Sequence, residues 1–141
     1  MSPENAAVDL DEKVLLVSCD THIGPRVKED LRPYVEKKYL EQYDEFVKWC
    51  EGMNIGSSDA LALTDGHWDP HARLRDLDQC GVVAEVIFHG SQNAQPVPWN
   101  VSDPSLGPGS ISRLLDVDYE LAGVGRQIYN RWLADFVSVE P

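Results

Sequence analysis

The stretch Asp69-Pro70-His71-Ala72-Arg73-Leu74-Arg75-Asp76-Leu77-Asp78-Gln79-Cys80-Gly81-Val82-Val83-Ala84-Glu85-Val86-Ile87-Phe88 reads as a helix followed at once by a strand. Asp69 is an N-cap residue, and Pro70 suits the first helical position, where its missing N–H costs nothing. Leu74 and Leu77 supply the buried side, and Gly81 closes the helix in the usual left-handed position. The seven residues that follow are mostly β-branched or aromatic and predict a strand. Upstream, Val14-Leu15-Leu16-Val17-Ser18-Cys19-Asp20-Thr21-His22 predicts another strand, stopped by Gly24-Pro25. Strand, helix, short turn and strand form a crossover unit, so the fold class is α/β with parallel strands. Near-continuous hydrophobicity in the first strand predicts burial on both faces, as in a sheet covered by helices.

Two further helices are expected. One runs from about Leu31 to Cys50, with Pro33 in its first turn and a stripe of Tyr39, Tyr43, Phe46, Val47 and Cys50. The other runs from about Asp116 to Val137, its stripe being Leu121, Val124, Ile128, Trp132, Leu133 and Phe136. Residues 1–12 form a polar, acidic arm, and residues 13–141 form one partial domain. A long proline-bearing loop at about 89–110 interrupts it. Two parallel strands leave open edges and make only the beginning of a larger sheet.

The chain has 141 residues and a formal charge of −12, from 24 acidic against 12 basic side chains. That field opposes DNA, RNA and anionic membranes. No run approaches membrane-spanning length, and no basic, apolar leader opens the chain. Cys19, Cys50 and Cys80 are odd in number and widely spaced, which suits reduced, mostly buried thiols. A soluble, cytoplasmic protein is expected.

Residues two apart share a strand face. Leu16, Ser18, Asp20 and His22 therefore lie together, with Leu15, Val17, Cys19 and Thr21 opposite. Asp20 and His22 close the strand at the end where parallel sheets build their sites. They are either polar residues meeting solvent or two ligands of a divalent transition metal: zinc, with manganese and iron as alternatives. His89 follows the second strand at the same end. It is a substrate contact, a residue that positions a carboxylate, a further ligand, or an exposed loop histidine. Glu85, mid-strand, requires a partner, and an arginine elsewhere in the chain is the first choice. His67 and His71 have a helical spacing, but Asp69-Pro70 starts the helix between them and breaks that geometry. Trp68 and Trp99 border the loops, either lining a pocket or packing in the core. No cysteine has a neighbouring base to activate it, and no phosphate-binding glycine loop occurs in a strand–helix context.

The segment Val17-Ser18-Cys19-Asp20-Thr21-His22-Ile23-Gly24-Pro25 resembles the opening strand of the amidohydrolase superfamily. The nearest branch is the amidohydrolase-related group that includes aminocarboxymuconate-semialdehyde decarboxylase and aromatic acid decarboxylases. That branch opens with His-x-His, and Asp20 stands at the first histidine position. Trp68 to Phe88 is similar to the family's helix and second strand, and Tyr129-Asn130-Arg131-Trp132-Leu133-Ala134-Asp135-Phe136 to the helix before strand three.

The resemblance implies the N-terminal part of a (β/α)8 TIM-like barrel, with the chemistry at its C-terminal mouth. Such barrels need about 250 residues. Strands three to eight, with the remaining ligands, would then come from a second polypeptide, unless the chain is a truncated relic. The implied function is that of the small subunit of a heteromeric, metal-dependent enzyme. It would hydrolyse or decarboxylate a small cyclic carboxylic acid, with Asp20 and His22 as metal ligands and His89 as a substrate contact. The alternative is a non-catalytic stabilising or regulatory subunit. Self-assembly ranks last, because identical copies repeat two strands without adding the missing ligands.

Overall fold

The structure, a computed structural model, describes residues 14–52, 64–88, 96–100 and 118–139. The fold is α/β. Strand β1 (Leu16–His22) pairs in parallel with β2 (Val82–Phe88). Helix α2 (Pro70–Cys80) lies between them in the chain, after α1 (Leu40–Gly52), and α3 (Tyr119–Val137) follows β2. The expected caps are present on α2. The Asp69 side chain accepts from the backbone N–H groups of His71 at 2.9 Å and Ala72 at 3.3 Å. Gly81 has φ +67°, and its N–H donates to the Asp78 carbonyl at 3.1 Å. Only glycine takes that conformation without a Cβ penalty.

The strand register is uneven. Ser18 sits beside Glu85 and Thr21 beside Ile87, so three steps along β1 match two along β2. The extra residue interrupts the strict alternation expected for Leu16, Ser18, Asp20 and His22. Thr21 Oγ1 donates to the Val86 carbonyl at 2.9 Å just past the irregularity, and His22 ends beside Phe88.

The hydrophobic core lies beyond the end of β1 rather than beneath the sheet. Ile23, Leu31, Tyr43 and Ile128 are its most buried members, drawn from the chain after β1, from α1 and from α3. The Tyr43 hydroxyl donates to the Val27 carbonyl at 2.6 Å within it. Burial drives the Tyr43 phenol well above its ordinary range.

The helix expected from Leu31 begins only at Leu40. Before it run a π-type turn, Val27–Leu31, and two 3-10 turns, Arg32–Tyr34 and Lys37–Tyr39, with Val35 and Glu36 extended. Pro33 belongs to the first of the 3-10 turns. Tertiary anchors explain the break. The Tyr34 hydroxyl donates to Asp135 at 2.8 Å, and Arg131 donates to the Tyr34 carbonyl and to Glu36.

Helix α3 starts after Asp118, whose side chain accepts from the N–H groups of Glu120 and Leu121, both at 3.0 Å. Of the expected 89–110 loop, residues 96–100 are described. There Val97 and Pro98 are buried against α3, and Trp99 packs edge-on against Tyr43 with ring centroids 5.7 Å apart. Trp99 has φ +55°, an uncommon conformation for a bulky side chain, held here by aromatic packing.

Burial of both sheet faces is not found. Val14, Leu15, Leu16 and Val17 on or before β1, and Val83, Val86 and Phe88 on β2, are all exposed, Leu15 at 75%. Helices cover too little of a two-stranded sheet. The thiols also differ from expectation: Cys50 is buried, but Cys19 and Cys80 are exposed. Burial pushes the Cys50 thiol up to about 12. Among the described residues, no helix is long and apolar enough to cross a membrane.

Candidate functional site

The C-terminal end of β1 carries the candidate site. Asp20 and His22 meet there, with His22 Nε2 3.3 Å from Asp20 Oδ1. The Asp20 side chain is largely open to solvent, and that of His22 is 35% exposed. The Phe88 ring flanks the imidazole at a centroid distance of 6.1 Å. Zinc bonds of about 2.0–2.1 Å at tetrahedral angles set neighbouring donor atoms about 3.3–3.4 Å apart. The Asp20–His22 separation fits two corners of such a shell. Among the described residues, no group of three or more His, Cys, Asp or Glu side chains could hold a metal ion. Among the described residues, Asp20 and His22 are therefore two candidate donors with no third beside them.

A second segment folds against this end. The Gly24 N–H donates to the His67 carbonyl at 3.2 Å, drawing in a short 3-10 turn, Asp65–His67. Beside it the Arg26 guanidinium lies 4.9 Å from the centroid of the Trp68 ring, a cation–π contact. Asp30 fixes that guanidinium by accepting from Nε at 2.9 Å and Nη2 at 2.8 Å, and it also accepts from the Arg26 backbone N–H at 2.7 Å. The hydrogen bond to Asp30 holds the Arg26 pKa above its ordinary value. Sequence reading did not single out Arg26. Its spacing to Asp30 was the available signal, whereas the Trp68 contact is tertiary.

The other candidates divide as follows. His67 sits in the turn and His71 in the first turn of α2, so the two do not share a helix face. Glu85 has the arginine partner expected of it. Arg73 Nε lies 3.0 and 3.1 Å from its two carboxylate oxygens, and Nη2 also donates. The Glu85 side chain is 8% exposed. This pair joins α2 to β2 and borders a cavity of about 400 Å³ between α2, β2 and the end of α3. Trp99, partly buried, packs against the core. His89 lies outside the described residues.

No family model, curated protein or solved structure matches the chain. A carboxylate and an imidazole converging at the end of a parallel strand can share a cation or pass a proton between them.

Proposed function

We propose that the chain is the N-terminal, small subunit of a two-chain, metal-dependent amidohydrolase-like enzyme. In this reading, β1 and β2 are the first strands of a (β/α)8 barrel, and a second polypeptide contributes the rest. Asp20 and His22 are two ligands of a divalent transition metal, zinc before manganese or iron, and His89 contacts the substrate. The reaction is hydrolysis or decarboxylation of a small cyclic carboxylic acid. When bound, the metal supplies Lewis acidity at the substrate or at water. Asp20 would add a negative charge to hold the cation, and His22, flanked by Phe88, would add a nitrogen donor.

The observation that carries this reading is the 3.3 Å approach of His22 Nε2 to Asp20 Oδ1 at a parallel strand's C-terminal end. The resemblance of Val17 to Pro25 to the superfamily's opening strand supports it, as do the exposed apolar residues of the sheet. The test is turnover and metal content of the assembled enzyme with Asp20→Ala. Loss of both supports a catalytic subunit.

A second reading, a stabilising or regulatory subunit without chemistry, draws on the absence of a third ligand among the described residues. In that case Asp20→Ala spares the turnover of the assembly.

A further inference from the structure

The cavity between α2, β2 and the end of α3 has an apolar wall with one ion pair set into it. Leu74 and Leu77 of α2, Ile87 of β2 and the buried Phe136 of α3 supply the apolar part. Val83 and Val137, which also line it, are 59% and 44% exposed, so the cavity is open to solvent. Its volume of about 400 Å³ lies in the range of small-molecule pockets, roughly 300–1,000 Å³. Such pockets combine a mostly apolar lining with a few polar groups that fix the ligand's orientation.

The charged lining residues are Arg73 and Glu85, and they are unequally engaged. Both Glu85 oxygens accept from Arg73, through Nε and Nη2. The Arg73 Nη1 group donates to nothing among the described residues, although a guanidinium carries donors on all three nitrogens. The wall therefore offers a donor without a net charge. An ion entering here would give up its hydration without gaining a counter-charge, and the chain's −12 adds to the cost for an anion. We propose that the cavity is a binding site for a small, uncharged, apolar molecule with one oxygen acceptor, a ketone for example, whose oxygen receives a hydrogen bond from Arg73 Nη1. Neither Asp20 nor His22 lines it, and the proposal does not require the two-chain reading.

The test titrates three probes of similar shape into the whole chain: acetophenone, α-methylstyrene, in which a methylene replaces the carbonyl oxygen, and benzoate. Methyl NMR of Leu74, Leu77 and Ile87 reads binding at the cavity. The expected result is saturable shifts of those methyl groups, with acetophenone bound about tenfold more tightly than α-methylstyrene and benzoate bound most weakly. The double variant Arg73→Met, Glu85→Leu replaces the ions by apolar groups and should bind the two neutral probes alike. Leu77→Trp, which fills part of the cavity and leaves the ion pair in place, should weaken all three. No saturable shift with acetophenone, equal affinity for acetophenone and α-methylstyrene, or tightest binding of benzoate overturns the proposal. So does a preference for acetophenone that survives the double variant, since the oxygen would then be held by something other than Arg73. Shifts of the same methyl groups on raising the protein concentration without a probe would make a second copy the occupant, and would overturn it as well.

Discussion

Arg73 and Glu85 form a bidentate ion pair across the α2–β2 unit, with the Glu85 carboxylate almost fully withdrawn from solvent. The guanidinium fork matches the carboxylate and leaves neither oxygen unpaired. The pair ties the crossover helix to the strand it precedes, just where the sheet is otherwise thinly covered.

Removing one partner leaves a buried charge without its complement. Arg73→Met is expected to destabilise the chain by about 3 kcal/mol, read as a lower urea midpoint. The double variant Arg73→Met, Glu85→Leu should recover most of that loss. Equal instability of single and double variants would show that Arg73 acts through packing instead.

Pro98 and Gly125 set the position of the 96–100 segment. A Cβ at Gly125 would lie 1.7 Å from the Pro98 carbonyl oxygen, so the helix and this segment approach too closely for any side chain. Alanine normally favours a helix over glycine by about 1 kcal/mol. Here Gly125→Ala should instead cost about 1–3 kcal/mol through overpacking. Trp99 fluorescence should shift as the segment is displaced from Tyr43 and Phe46. A stabilised variant with unchanged fluorescence would contradict the contact.

Thiol reactivity should separate the three cysteines. Cys19 and Cys80 are exposed and should react promptly with a disulfide reagent, whereas Cys50 should react only on unfolding. The raised Cys50 pKa also carries a sign. The unfolded thiol ionises near its ordinary value, while the folded one resists ionisation until about 12. Its contribution to stability is therefore complete below the ordinary thiol range and is lost as pH rises from there towards about 12. Cys50→Ala should flatten that part of the stability–pH curve. An unchanged slope would assign the alkaline loss to other groups, Tyr43 among them.

Much of the α/β unit was legible because its signals are local. Asp69, Pro70 and Gly81 mark the ends of α2 by their own backbone preferences, and the apolar run Val82–Phe88 needs no distant partner to read as a strand. Glu85 announced a need for a counter-charge, and Arg73, twelve residues away, meets it. The convergence of Asp20 and His22 followed from strand periodicity, although the register shift after Ser18 did not. What escaped reading depends on tertiary anchors. Leu31 to Tyr39 reads as the first turns of the helix that runs to about Cys50, yet Tyr34 and Glu36 are held by α3 in a broken path. Arg26 reaches Trp68 through a contact between distant segments, and neither residue's local sequence reports it.

The most direct test of the metal-dependent, two-chain account is native mass spectrometry on the chain expressed alone and beside its genomic neighbours, with metal analysis of each species. The account predicts a heteromeric complex holding one transition metal, with the metal lost in Asp20→Ala and His22→Ala. A metal-free monomer in both settings would contradict it.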